Sequence, residues 1–423
     1  MTRLRALRHA LLFVLLLTAH TLRADTPSWA TTPLSLHDCI ERALRDAPTV
    51  QRLQARVLAA EALLQQARTL PNPHVAYTAQ DIGLQTSAGP ALLHQSLLSY
   101  PVLISYLRTQ EARVARAGIA QAHAQSDEDR RQLRLAIGRA YFAALLSDRW
   151  AALEADAAAL AADIVAQTQR RLQHGDIGTY DVERARAEEL DARRSAEQAS
   201  RRRDLDHLSL SIAIGADEPF LVPLRDRLVD LAIPFTGDHS IEPDALLARA
   251  RTARPDLRAA RATLQRATEQ GRLEARRAFP LAELQLIGGV RIADPGVGGL
   301  LAFGAPLPLF DHNDGPRTAA AAQILSARSA LTLLERQAAV EVLSAERDHR
   351  GASDALLRFV RPQVALRETA LRGARRLLAE GMAPLLDVVA AQRDLLASRR
   401  ALAQAEHDVA LAVFRLGIAL GEQ

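Results

Sequence analysis

Apolar residues recur at helical spacing over most of this chain, and at alternating spacing in four short stretches. Cys39, Ile40, Ala43 and Leu44 share one face of a first helix, and Val50, Leu53, Val57 and Leu58 share a face of a second. Pro48 stands where the first would hand over to the second, and Pro71 and Pro73 stop the second. Residues 74–85 and 92–103 read as two strands joined by a turn at SAGP. No proline occurs between Pro101 and Pro219, and the helical pattern there runs to about Leu172, breaks at HGDIG and resumes from Asp181 to Ile214. A helix of some 65 residues would be ~100 Å long at 1.5 Å per residue, and such a length needs a partner helix along its course.

Residues 216–241 form a connector with mixed character, and the same order of signals then returns. Pro255 answers Pro48, and strands are expected at 281–292 and 299–310. A long helix follows from about Pro316 to Glu380, with a kink at Pro362, and after GMAP a last helix runs to Leu420. In 281–292, Ala282, Leu284, Leu286, Val290 and Ile292 fall on one face and Glu283, Gln285 and Arg291 on the other. That is the alternation of a strand with lipid on one side and water on the other.

The return is also literal. Residues 169–194 read QRRLQHGDIGTYDVERARAEELDARR and 375–400 read RRLLAEGMAPLLDVVAAQRDLLASRR. Gly175, Asp181, Val182, Arg193 and Arg194 recur 206 positions later as Gly381, Asp387, Val388, Arg399 and Arg400. The fold class expected is therefore mainly α with a small β part, in two duplicated helix–strand–strand–long helix–helix halves, 35–215 and 242–421. In each phrase glycine permits a tight reversal, and the following aspartate can cap the next helix.

Composition narrows the function. The chain is 48% hydrophobic but only 4% aromatic, and it contains arginine but no lysine, a composition suited to long helices. Arg3, Arg5 and Arg8 precede the apolar run 11–17, and Ala24 is a plausible cleavage residue, so 1–24 reads as an export signal and 25–34 as an N-terminal segment. The 53 basic residues against 49 acids give +4, and the four arginines of 1–24 account for all of it. A nucleic-acid partner loses its support accordingly. Cys39, the single cysteine, excludes an internal disulfide and a zinc cluster. DHND (311–314) and Asp238-His239 invite a metal reading, but a strand-to-helix cap fits the first better, leaving His312 and His239 without a ligand set. The glycine-rich 288–304 lacks a phosphate-binding signature, and the arginine run 201–203 lies between acids on a solvated face. No nucleophile–base set, paired carboxylate cleft or cofactor fingerprint stands out, so no enzyme and no cofactor is expected.

Four strands cannot close a barrel, and an open sheet edge is not tolerated in lipid. Strands that cross a membrane in this chain must therefore be pooled between copies, and three copies would supply twelve.

Taken in order and duplicated, these phrases resemble the TolC-like outer membrane factor family over almost all of the chain after residue 24. LPNP (70–73), APLPLFDHNDG (305–315) and Pro362 look most like its CzcC-type, heavy-metal branch. The resemblance implies a homotrimer in the outer membrane, contacting its lipid, with a 12-stranded β-barrel and an α-barrel in the periplasm of a Gram-negative bacterium. It implies a periplasmic adaptor and an inner-membrane pump of the RND type as partners, with heavy-metal cations as cargo. It further implies that Gly175, Asp181, Val182, Gly381, Asp387 and Val388 form the tip turns that dock the adaptor, and that Asp387 rings the pore constriction. Ala383 and Ala390 stand where some family members carry an arginine and a second aspartate. Drug efflux, type I protein secretion and, in another class, a soluble periplasmic coiled-coil scaffold are the alternatives.

Overall fold

A computed structural model describes residues 32–70, 72–86, 89–101, 105–175, 177–233, 242–278, 283–291, 296–304, 309–380 and 382–422. The expected export signal, His239 and Gly381 lie outside the described residues. Helices α1 (Leu36–Asp46) and α2 (Pro48–Arg68) precede strands β1 (His74–Thr86) and β2 (Gly89–Pro101). Then come α3 (Ser105–Gln173), α4 (Thr179–Ala213) and the short α5 (Leu228–Leu231). Next are α6 (Pro243–Ala253), α7 (Pro255–Arg277), β3 (Glu283–Arg291) and β4 (Gly296–Gly304). Helix α8 (Asp314–Asp354), a π-helical turn (Ala355–Val360), α9 (Arg361–Ala379) and α10 (Leu385–Leu420) complete the chain.

Proline sets several of these boundaries. A residue before proline is pushed out of the helical region. Ala47 (ψ 137°) and Arg254 (ψ 125°) accordingly end α1 and α6, and Pro48 and Pro255 open α2 and α7. The kink expected at Pro362 takes the form of the π-helical turn just before it. There the Arg361 N–H reaches back five residues to the Leu356 carbonyl, and Leu356 is fully buried. Proline lacks the N–H of an ordinary helical rung, and a widened turn relieves its ring.

The strand ends differ from expectation by up to six residues. Gly89 and Pro90, read as turn, belong to β2, and β2 stops at Pro101, which has no N–H to extend the ladder. β4 spans 296–304 rather than 299–310, so Leu309 and Phe310 lie in a bend; Pro306 and Pro308 in the intervening sequence cannot donate to a ladder. All four strands pair antiparallel in the order β1-β2-β3-β4. The central rungs join the two sequence halves, from Leu93 opposite Arg291 to Pro101 opposite Glu283. Among the described residues β1 and β4 each have a partner on one side only.

The chain divides into two compact units, and each draws on both halves of the sequence. The first holds the described residues within Met1–Ala47, Ala136–Thr236 and His349–Val413. Its knot is the segment after α4. Leu34 and Leu224 form an isolated parallel bridge, and the buried Tyr141 hydroxyl lies 3.1 Å from the Leu34 carbonyl and 2.8 Å from Asp226 Oδ2. Burial, reinforced by that aspartate, pushes the Tyr141 pKa far up, so its hydroxyl stays a donor. The Cys39 thiol is fully buried, and desolvation pushes its pKa up to about 12, as a packing residue requires.

In the same unit, His207 Nδ1 lies 2.8 Å from the Val222 carbonyl and Nε2 lies 3.0 Å from Asp148 Oδ1. Both partners only accept, so the geometry calls for the doubly protonated ring. Desolvation works against that charge, but the Asp148 hydrogen bond and charge outweigh it and raise the pKa. A raised folded-state value gives stability that is fully present below the unfolded pKa of 6.5 and is lost as pH rises through the folded value. The stability gap between wild type and His207→Gln is therefore expected to be widest near pH 6 and to narrow toward pH 9. Thermal midpoints across that range check it, and a constant gap refutes it.

The second unit holds the described residues within Pro48–Leu135, Gly237–Asp348 and Phe414–Gln423, and carries the sheet. Leu246 and Ala250 of α6, Val342 and Ala345 of α8, and Ala419 and Leu420 of α10 form its apolar cluster. Beside it the fully buried Arg254 holds Asp256 through both carboxylate oxygens (3.1 and 2.6 Å), Glu341 at 2.6 Å and the Ala419 carbonyl at 3.0 Å.

Gly215 and Gly421 end α4 and α10 at the same φ of +83°. Each is followed by a residue whose N–H reaches five positions back, Ala216 to Ser211 and Glu422 to Gly417, which is a Schellman closure. A Cβ on Gly215 would fall 2.8 Å from Ala47 Cα, and one on Gly421 would fall 2.8 Å from the Ala253 carbonyl carbon. Each glycine therefore lets the residues before the Pro48 or Pro255 joint approach backbone to backbone.

Candidate functional site

The two repeated phrases become two helix reversals within the first unit. At the first, α3 closes with the Gly175 N–H bonded to the Leu172 carbonyl, and Gly175 adopts φ +77°. Nothing lies within 4 Å of a Cβ placed there, so this glycine is required by the backbone and not by a neighbour. Gly178 is the N-cap of α4 and, having no side chain, makes no side-chain cap bond. The second reversal joins α9 to α10, and there the Met382 N–H returns to the Leu377 carbonyl at 2.9 Å.

The repeated Asp-Val pairs take equivalent places. The Asp181 N–H bonds to the Gly178 carbonyl (3.2 Å) and the Asp387 N–H to the Pro384 carbonyl (3.1 Å), so each aspartate is the third residue of its helix. Neither is an N-cap. Both are exposed and stand in the first turn, where the free N–H groups favour negative charge. The next residue turns inward in both cases, since Val182 and Val388 are each 4% exposed. Val388 packs with Val364, Leu371 and Leu395, while Ala185 packs with Ile164 and Val165. Tyr180, Leu377, Met382 and Leu386 remain exposed around the reversals, which gives this end of the unit both acidic and apolar surface.

The repeated arginine pairs diverge. Arg193 and Arg194 bond within α4, to Glu189 at 2.5 Å and to Asp191 at 3.2 Å. Arg399 instead reaches Glu368 of α9 at 2.9 Å, and Arg400 reaches Glu154 of α3. Arg393 of α10 likewise pairs with Glu188 of α4, and Arg367 of α9 with Asp394 of α10. These links tie the second hairpin to itself and to the first. The sequence gives no sign of them, because identical dipeptides occur in both phrases.

DHND is a turn. Asn313 sits at φ +59°, its N–H bonds to Asp311 Oδ1 at 2.8 Å, and its amide nitrogen donates to the Glu274 carbonyl. Asp314 pairs with Arg317 and His312 is exposed. Among the described residues no group of three or more His, Cys, Asp or Glu is placed to hold a metal. The arginines 201–203 pair with Glu197, Asp206 and Asp204 along α4. Among the described residues no helix is long and apolar enough to cross a membrane.

Residues 246–422 match the family model described as outer membrane efflux protein. No curated protein matches the chain. Among solved structures it is similar to the outer membrane protein VceC from Vibrio cholerae, with 21% identity, a TM-score of 0.73, and coverage of 91% of this chain and 96% of that one. It is similar to CusC at 16% identity, with a TM-score of 0.77 and coverage of 92% of each chain. The open state of the MtrE outer membrane channel from Neisseria gonorrhoeae gives 19% identity, a TM-score of 0.74, and coverage of 91% and 88%. The second half of the chain thus carries the match to the outer membrane efflux protein family, and the chain as a whole has the fold of these TolC-like channels.

Proposed function

We propose that this chain is the outer-membrane duct of a tripartite efflux system, a passive exit joined to a periplasmic adaptor and an inner-membrane pump. One observation carries the reading most directly: a four-stranded sheet whose two end strands each lack a second neighbour among the described residues. The strands are 13, 13, 9 and 9 residues long, against the ~9–11 needed to cross a bilayer. In lipid both edges must be satisfied, and β4 of one copy against β1 of the next satisfies them. Three copies close twelve strands around a water-filled lumen, whereas two would leave an interior filled by side chains.

In this reading residues 1–24 direct export, 25–34 form an N-terminal segment, 35–215 and 242–421 are duplicated halves, and 216–241 connect them. Gly175, Asp181, Val182, Gly381, Asp387 and Val388 build the tip turns that meet the adaptor. Asp387 lines the constriction, where three copies gather negative charge and favour cations. Heavy-metal cations are the proposed cargo, on the sequence resemblance to the CzcC-type branch; unchanged tolerance to zinc, cobalt, cadmium, nickel and copper after deletion would remove them.

The test of the duct is direct. Purified from the outer-membrane fraction in mild detergent, the protein should have the mass of a trimer and carry ion current in a planar bilayer. Recovery as a soluble monomer without current sinks the proposal. In the same recordings Asp387→Ala should weaken block by divalent cations severalfold, while Asp181→Ala should leave it unchanged. Equal block in wild type and Asp387→Ala would take Asp387 out of the constriction.

A further inference from the structure

In the sheet-bearing unit, α2, α3 and α7 leave an open groove of about 780 Å³. Its position is set by the chain. Thr69, Leu70 and Arg108 line one end; Leu70 lies four residues before the start of β1, and Arg108 lies seven after the end of β2. The groove therefore opens where the helices become strands. From there it follows α3 as far as Gln125, a run of ~25 Å at 1.5 Å per residue.

The lining is amphipathic and mainly basic. Arg56, Arg108, Arg266 and Arg277 face it against a single acid, Glu111. Arg56 is already engaged by Asp129 at 2.9 Å, and Arg277 by Glu274 at 3.0 Å and Glu111 at 3.4 Å. The other two arginines meet neutral acceptors. Arg108 donates to the Arg68 carbonyl, and Arg266 Nη1 donates to Gln121 Oε1 at 3.0 Å. Two guanidinium charges thus reach the groove uncompensated by a carboxylate. Between them the walls are apolar: Leu63 and Leu70 are 63% and 61% exposed, and Val114 and Leu273 line the same space. Large exposed leucines are costly in water, and beside arginines without a carboxylate partner they suit a ligand with an anionic head and a hydrocarbon tail.

We infer that the groove holds an anionic phospholipid drawn from the leaflet at the strand ends. Its phosphate is seated at Arg108, with Arg266 further along, and one acyl chain lies against Leu70, Leu63 and Val114. The inference rests on the reading that the strands cross a membrane. Continuity of the groove mouth with β1 and β2 is what selects a membrane lipid over a soluble amphiphile. Guanidinium binds phosphate through two parallel donors, and the lipid would supply the counter-charge that the protein lacks here.

The experiment compares detergent-purified protein, wild type and Arg108→Gln/Arg266→Gln, reconstituted with phosphatidylglycerol or phosphatidylcholine and read by native mass spectrometry. Wild type should retain phosphatidylglycerol over phosphatidylcholine, and the double variant should lose about tenfold of that retention for each arginine removed. Arg108→Lys/Arg266→Lys should retain more than the glutamine variant and less than wild type, because it keeps the charge but not the paired donors, which separates lost charge from lost folding. Equal retention by wild type and the glutamine variant overturns the inference. So does displacement of the lipid by millimolar inorganic phosphate, which would mark a free-phosphate site. A third contrary result is a Leu63→Cys thiol shielded in lipid-free protein, since a second copy would then cover the groove. Membrane fractionation and particle mass, measured on the same samples, distinguish this failure from failure of the duct: a membrane-bound trimer without bound lipid loses only the groove's assignment.

Discussion

Replacing Arg254 with alanine is expected to be among the most damaging single changes in the helical body, costing about 3 kcal/mol. The arginine side chain is 1% exposed and satisfies Asp256 through both oxygens, Glu341, and the Ala419 carbonyl near the end of α10. Truncation leaves a nearly buried carboxylate without its main counter-charge and a buried carbonyl without its donor. Arg131 stays 3.9 Å from Asp256, which keeps the loss at the low end of the range for broken buried pairs. The pH dependence has a definite sign. In wild type, desolvation works to raise the Asp256 pKa, but the Arg254 hydrogen bond and charge outweigh it and hold the group below its ordinary value. That stability is present above the unfolded pKa and lost as pH falls through the folded one. In the variant desolvation dominates and protonation relieves the strain, so the gap between the two proteins should shrink from pH 7 toward pH 4.5. Arg254→Ala/Asp256→Ala should cost less than the sum of the single changes. Thermal midpoints in detergent at the two pH values check all three statements, and a pH-independent gap refutes the ionic account.

Alanine at Gly421 or Gly215 should cost about 2–4 kcal/mol, and alanine at Gly175 only about 1 kcal/mol. All three glycines share a left-handed backbone, with φ of 83°, 83° and 77°. They differ in what a methyl group would meet: main-chain atoms at 2.8 Å at Gly421 and Gly215, open space at Gly175. The left-handed penalty is therefore common to the three, and the excess at the first two measures the displaced joint before Pro48 or Pro255. Denaturant midpoints of the three variants read it out. Equal losses would mean that the joint yields without cost.

How much of this was legible in the sequence depends on the kind of signal. Pro48 and Pro255 act on their own neighbours, so the helix joints could be read directly. The Asp-Val phrases could be placed at helix starts for a similar reason, since an acid followed by an apolar residue fits a first turn whatever surrounds it. Strand ends were less clear, because Gly89-Pro90 suits a turn as well as it suits the first rungs of a strand. The π-helical turn was invisible, since Pro362 demands relief but not its form. Arg254 was hidden entirely. In a chain whose every basic residue beyond histidine is arginine, nothing local separates the one that is buried among carboxylates from those on solvated faces. The different partners of Arg193-Arg194 and Arg399-Arg400 were hidden too, because they depend on which helix lies alongside.

The rungs between β2 and β3 bring together residues 182 to 198 positions apart, Pro101 with Glu283 and Leu93 with Arg291. A nascent polypeptide leaving the ribosome must therefore present its first hairpin long before the second exists, with α3 to α7 still to be made between them. Loop closure over such a span is entropically slow, and until it happens the first hairpin has bare backbone on both flanks. Maturation of this protein is thus a waiting problem: whatever escorts the unfinished chain must shield one β-hairpin for the time taken to synthesise nearly half the molecule.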